Sequence, residues 1–314
     1  MEKLSLFDML IYRPLGFIIQ IIYDLVQNYG LAIILFTIVI KLLLMPLQVK
    51  SQKAMKRQQK VQPIIAELQK KYANDQQRLS QEMMKVYKEN NVSMTGGCLP
   101  LLIQFPILIG LYNIIRRPLT YIRGVNFSDK AIVEKVKELA SSVGEKIPNM
   151  EQFVQNEQIK ISTWANEHNI TDWEINFDFL GLDLSKTPQF SSIFKLMNGD
   201  FKDLSVSLLI LIPAIAMLLT WLSSKYSQKL SGTANAKNTN EQAQSMTNTM
   251  NILMPLMTGY FTFILPSGIG IYWIISSVMQ VVQQFIITKF IDRKEDDFVV
   301  KVPEKNRKGS KKRR

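Results

Sequence analysis

Residues Gly30 to Leu47, GLAIILFTIVIKLLLMPL, form an apolar run with a single charged side chain, Lys41. As a helix rising 1.5 Å per residue the run is about 27 Å long, against a bilayer hydrocarbon core of about 30 Å. It therefore reads as a membrane span with little tilt or some local thinning. An ammonium at the centre of a span costs about 2.5 to 3.5 kcal/mol on insertion scales, so Lys41 needs a reason. Thr37, one helical turn earlier, shares its face.

Three more stretches lack any acidic or basic residue: Cys98 to Ile115, Leu204 to Ser224 and Thr247 to Thr288. The last is too long for one span, and Pro266, Ser267 and Gly268 divide it into a tight hairpin, 249–265 and 269–288. The expectation is an all-α integral membrane protein with five spans. Lysine and arginine give the orientation. Residues 48–97 hold ten bases against four acids, 225–246 three against one, and the tail from Lys289 eleven against five. The intervening 116–203 holds eleven against thirteen and 1–29 two against three, so the amino terminus is expected outside and the carboxyl terminus in the cytoplasm. The net charge of +12 thus belongs to the cytoplasmic face, where anionic lipid, ribosomal RNA or an acidic polypeptide would each suit it. One cysteine, Cys98, and one histidine, His168, exclude an internal disulfide and a cysteine cluster for metal.

The expected order along the chain is as follows. Residues 1–29 carry no secretory signal pattern, and Leu15, Ile18, Ile19, Ile22 and Leu25 recur at helical spacing, which predicts an amphipathic helix at the outer interface. Span one (30–47) leads to a cytoplasmic helical hairpin at 48–97, kinked or restarted at Pro63, with Leu68, Leu79, Met83, Met84 and Val86 available for packing. Its basic side carries Lys50, Lys53, Lys56, Arg57 and Lys60, with no aromatic residues interleaved. Span two (98–115) contains Pro100, Pro106, Gln104, Tyr112 and Asn113, polar groups that either bond neighbouring helices or line a polar cavity. The extracytoplasmic segment 116–203 shows helical alternation over Lys130 to Ser142 and Met150 to Ala165, and His168 reads as a surface residue. Span three (204–224) precedes a cytoplasmic loop (225–248), whose Asn, Gln, Ser and Thr content from Ser231 to Thr249 suits a mobile connection. Spans four (249–265) and five (269–288) are polar for their depth. Thr258, Tyr260 and Thr262 lie in the first arm, and Ser276, Gln280, Gln283 and Gln284 share a face of the second. The tail, 289–314, is basic.

YGLAIILFTIVIKLLLMPL, RLSQEMMKVYKENNVSMTGGCLPLLIQFPILIGLY, FLGLDLSKTP and LPSGIGIYWIISSVMQVVQQ occur in this order, and in them the chain resembles the YidC-type membrane protein insertases. The resemblance implies a five-span core in the bacterial plasma membrane around a polar groove, open to cytoplasm and lipid and closed outside. The groove cation of that family is usually an arginine; the position here is Lys41, which keeps the charge and loses the bidentate fork. Ser277 stands where the family often has asparagine. Nothing is carried over to 121–174, which is longer than the family minimum. Groove residues implied are Lys41 and Thr37 in span one, Gln104 and Tyr112 in span two, Thr258, Tyr260 and Thr262 in span four, and Tyr272, Trp273, Ser276, Gln280 and Gln284 in span five. In the hairpin, Lys53, Lys56, Arg57, Lys60, Pro63, Met83 and Met84 would receive substrates.

No acid occurs in any of the five spans, which leaves water, the cytoplasmic edge or neighbouring polar groups to solvate Lys41. The expected function is insertion and folding of membrane proteins by solvating a substrate's polar tail, without nucleotide hydrolysis, since no GxxxxGK[ST] run is present. No cofactor and no enzymatic activity are expected. Expected partners are nascent membrane proteins, the ribosome, the signal recognition particle pathway, a Sec-type translocon and anionic lipids. Two other readings use the same polar faces: an assembly chaperone without autonomous insertion, and a small-solute transporter, for which paired ionisable groups or repeats are not evident.

Overall fold

The computed structural model describes residues 7–93, 99–191, 194, 198, 204–231, 241–295 and 300, with side chains at all of these except 99–104, 230, 231, 241–248, 250 and 290–295. A π-helical turn, Asp8–Tyr12, leads into α1 (Arg13–Val26), followed by α2 (Tyr29–Leu43), α3 (Met45–Lys71), α4 (Gln76–Glu89) and α5 (Leu99–Arg116). Then come α6 (Pro118–Tyr121), α7 (Lys130–Ser142), α8 (Met150–Asn156), α9 (Gln158–Glu167) and a 3-10 turn, Thr171–Trp173. Strands β1 (Asp178–Phe179) and β2 (Leu182–Asp183) pair antiparallel, Asp178 opposite Asp183 and Phe179 opposite Leu182. Helices α10 (Leu204–Leu208), α11 (Leu211–Ser231), α12 (Glu241–Ile264) and α13 (Ser267–Glu295) complete the described chain.

Among the described residues three stretches are long and apolar enough to cross a membrane, Asp8–Val26, Leu204–Lys229 and Ser267–Lys289, and the broken pair α2 and α3 would make a fourth. Phe105–Arg116 and Asn251–Ile264 are shorter apolar helices. The molecule is thus an all-α membrane protein with several apolar helices. Asp8–Val26 meets the length and hydropathy requirement for crossing, whereas its sequence pattern suggested a helix lying flat at the interface.

Prolines set several boundaries differently from expectation. Helix α2 stops at Leu43 rather than Leu47, because Pro46 lacks an N–H and fits the first turn of α3 instead. Pro63 neither ends nor restarts α3, which runs unbroken to Lys71. It is exposed, so the Gln59 carbonyl that loses its helical donor lies on the solvent side. The polar stretch Ser231 to Thr249 is helical at its end, because α12 already begins at Glu241 among good helix formers such as Gln242, Ala243 and Met246. Residues 232–240 lie outside the described chain. Met150 to Ala165 is two helices, broken at Glu157.

The chain divides into two compact units. Unit one comprises Met1–Lys41, Gln104–Thr220 and Pro255–Ser277. On α2 the residues Tyr29, Ala32, Ile33, Phe36, Thr37 and Ile40 are buried, a stripe at spacings of three and four. Leu31 and Val39 on the same helix are exposed, as are Leu211, Ile215 and Leu218 on α11 and Leu256, Tyr260 and Ile264 on α12. These open stripes are the surfaces such helices present to lipid. Unit two comprises Leu42–Ile103, Trp221–Met254 and Val278–Arg314. Its α3–α4 hairpin has its own core of Val61, Ile65, Leu68, Leu79, Val86, Tyr87 and Val92, against which Ile64, Tyr72, Met83 and Val300 pack. Asp75 caps α4 by accepting the Arg78 N–H at 2.9 Å.

Candidate functional site

In unit one the polar residues of the apolar helices fall on defined faces. Thr37 is buried on α2 and its hydroxyl donates to the Ile33 carbonyl at 2.7 Å. One turn on, helical spacing sets Lys41 at the margin of the buried stripe, and the residue is half-buried. On α12, Thr258 and Thr262 are buried one turn apart, and the Thr262 hydroxyl donates to the Thr258 carbonyl at 2.7 Å. On α13, Tyr272 and Ser276 are buried, while Trp273 is half-buried and stacks on Phe261 of α12 at 6.4 Å. Thr220 of α11 and Ser277 share a hydroxyl contact of 3.2 Å. The hydroxyls of Thr37 and Thr262 bond within their own helices, so they enter apolar contact without an unsatisfied donor and keep lone pairs for a guest.

Other expected groove residues lie elsewhere. Tyr260 is 62% exposed, on the open stripe of α12. Tyr112 accepts a hydrogen bond from Arg116 Nη1 at 2.7 Å, and Arg116 Nη2 donates to the Asn156 carbonyl at 3.3 Å, which joins this end of α5 to α8. The side chain of Gln104 is outside the described set. In unit two, Gln283 and Gln284 are buried and Gln280 is exposed. Gln284 Nε2 donates to Thr288 Oγ1 at 3.4 Å. Gln228 of α11 donates to Asn251 of α12.

The hairpin divides its expected residues in the same way. Met83 packs on the core, but Met84 is 44% exposed and with Ser80, Gln81, Lys85 and Lys88 lines a shallow surface depression. Met84 is therefore not a packing residue, because one residue of helical rotation turns it away from α3. Lys53, Lys56, Arg57 and Lys60 are half-buried along α3, and Pro63 is exposed. Gln58 hydrogen-bonds the Tyr87 hydroxyl, while burial pushes that phenol above its ordinary pKa.

A clasp that periodicity did not reveal closes one end of unit one. Asn28 caps α2 by accepting the Leu31 N–H at 3.0 Å, and its Nδ2 donates to the Asp178 carbonyl at 2.6 Å. The Tyr29 N–H donates to the Asn176 carbonyl at 2.9 Å, and the Asn176 N–H to the Tyr23 hydroxyl at 3.0 Å. The buried Tyr29 hydroxyl donates to the Ile115 carbonyl at 2.9 Å. Past β2, the Lys186 carbonyl accepts from the Ser267 hydroxyl at 2.6 Å and from its N–H at 3.2 Å. One short segment, 176–186, thus holds the first turns of both α2 and α13. A glycine permits the approach: a Cβ on Gly30 would meet the Phe179 ring at 2.4 Å; nearby, one on Gly270 would meet Ile212 Cγ2 of α11 at 2.2 Å. The local signals in the sequence are a helix-capping asparagine before Tyr29 and the serine after Pro266, and the stretch FLGLDLSKTP, which carries part of the family resemblance, covers most of the segment.

Among the described residues no group of three His, Cys, Asp or Glu side chains is placed to hold a metal ion. His168 is an exposed cap of α9, with Nδ1 3.0 Å from the Trp164 carbonyl.

Comparison with known proteins gives one consistent result. The sequence profile of the 60Kd inner membrane protein family matches residues 21–295. A membrane protein insertase YidC of Caldanaerobacter subterraneus subsp. tengcongensis is 29% identical over 275 residues, 88% of this chain and 92% of that protein. One of Clostridium perfringens is 30% identical over 291 residues, 92% of this chain and 91% of that protein. One of Oceanobacillus iheyensis is 27% identical over 271 residues, 84% of this chain and 75% of that protein.

Proposed function

The chain belongs to the 60Kd inner membrane protein family, and from that premise we propose that it is a membrane protein insertase that solvates the polar end of a substrate in a hydrophilic intramembrane groove. The observation that carries the reading is the pairing of Lys41 with Thr37 on one face of an apolar helix, in a protein whose other apolar helices bury Thr258, Thr262 and Ser276. A short acidic or polar tail entering beside Lys41 travels less far through hydrocarbon, and the ammonium attracts its charge. The substrate's apolar span passes into lipid beside the open stripes, and each large apolar residue it buries supplies about 0.5 kcal/mol toward release. At 15 residues α2 is about 22 Å long, short of the hydrocarbon core, so the bilayer thins locally and the barrier falls further. Nucleotide hydrolysis has no place in this cycle.

In this reading the amino terminus lies outside and the carboxyl terminus in the cytoplasm, with five crossings and α1 along the outer interface. The α3–α4 hairpin receives nascent membrane proteins. Its half-buried basic residues and the basic tail face ribosomes, the signal recognition particle pathway, a Sec-type translocon or anionic lipid. The test reconstitutes the purified protein in lipid vesicles and follows protease protection of a single-span protein with an acidic tail. Protection above empty vesicles is expected to fall in Lys41→Ala and to survive in Lys41→Arg. Lys41→Glu should harm acidic tails more than basic ones; equal losses would remove the electrostatic step. Protection no better than empty vesicles, with the protein shown folded, would replace insertion by a chaperone role.

A further inference from the structure

The turn between β1 and β2 combines two features that a surface loop normally avoids. Leu180 has φ +55°, in the left-handed region where a leucine is strained, and it is 86% exposed. Asparagine or aspartate before Gly181 would suit both the backbone and water, yet the position carries a large apolar side chain. The turn is held firmly. Asp178 Oδ1 accepts the Gly181 N–H at 3.1 Å, the Asp178 carbonyl is fixed by Asn28, and the Phe179 ring sits against Gly30. The turn that carries Leu180 is therefore fixed at the first turn of α2, a helix whose Leu31 and Val39 are also exposed. A second residue of the same segment repeats the pattern. Phe190 is 65% exposed and its ring lies 4.2 Å from that of Phe263, in the last turn of α12, beside the exposed Ile264. Two large exposed apolar side chains thus belong to turns or contacts at the ends of two apolar helices.

We propose that the β1–β2 turn is a lipid anchor, in which Leu180 enters the acyl-chain boundary of the leaflet at the start of α2 and fixes the depth of the clasp. The occupant is lipid because the turn that carries the apolar tip is fixed to the first turn of α2, an apolar helix with its own exposed Leu31 and Val39. Contact with acyl chains removes the exposure, and the rigid turn holds the leucine there without further ordering cost. The proposal rests on α2 crossing the bilayer and is independent of insertase activity.

The test uses the full chain with Cys98→Ser and Leu180→Cys, labelled with an environment-sensitive fluorophore and reconstituted in phosphatidylglycerol and phosphatidylethanolamine vesicles. A second chain is labelled at Lys146→Cys, an exposed position of the same extracytoplasmic segment. The label at 180 is expected to shift its emission to shorter wavelength and to lose most of its intensity to lipids carrying a nitroxide near the top of the acyl chain, while the label at 146 stays water-like and unquenched. An unshifted, unquenched label at 180, in a chain whose thermal melting matches the parent, would overturn the proposal. So would a shift that appears only at high protein density, which would mean that a second copy covers the tip.

Discussion

Gly270 shows how tightly single residues are constrained in unit one. A methyl group there would stand 2.2 Å from Ile212 Cγ2, and Ile212 is buried, so Gly270→Ala must displace α11 or force the isoleucine off its rotamer. The expected cost is about 1 to 3 kcal/mol, read as a lower thermal unfolding midpoint in detergent. The same substitution in an Ile212→Ala background should cost less than alone, because the cavity accepts the methyl. Purely additive losses would show that the helix contact is not the cause. Lys41 was legible as the anomalous residue of the first span because a charge among seventeen uncharged neighbours is costly in hydrocarbon unless it snorkels or is solvated. The partners of Tyr112 were not legible. Its hydroxyl is taken by Arg116, and a tyrosine in an apolar helix carries no mark of which neighbour it will meet.

Among the elements, the α3–α4 hairpin stands on a compact cluster. Leu68→Ala is expected to destabilise it by about 2 to 5 kcal/mol, whereas Met84→Ala should stay within about 0.5 kcal/mol. Amide exchange over α3 and α4 in the reconstituted protein checks both, and similar effects of the two would contradict the packing. The hairpin, α7 and the break at Pro266 could be read from periodicity and proline because each is a local signal. Two errors had local causes as well. Pro46 opens α3 although hydropathy alone extends span one to Leu47, and 241–249 is helical although its polar composition alone suits a mobile connection. The assignment of Met84 to the packing face failed because adjacent helical positions differ by about 100°, so only one of Met83 and Met84 can face α3.

At the scale of the whole molecule, charge bias predicts an orientation that labelling can test. In a Cys98→Ser background a cysteine at Lys146 is expected to react with a membrane-impermeant maleimide in intact cells, and one at Lys85 only after permeabilisation. The reverse pattern would invert the topology. The presence of several apolar helices was readable because hydropathy is additive along the chain. The clasp was hidden because its bonds join residues far apart in sequence and end on backbone carbonyls, which no side chain marks: Asn28 and Asp178 are 150 positions apart, Lys186 and Ser267 81. That separation also dictates an order of events during synthesis. At about 5 to 20 residues per second, α2 waits roughly 8 to 30 s after it is made before the segment that caps it exists, and the grip on α13 comes later still. Closing loops of this length is slow and is rewarded only at the end. The newborn protein therefore passes through a stage in which α2 is made but still unclasped.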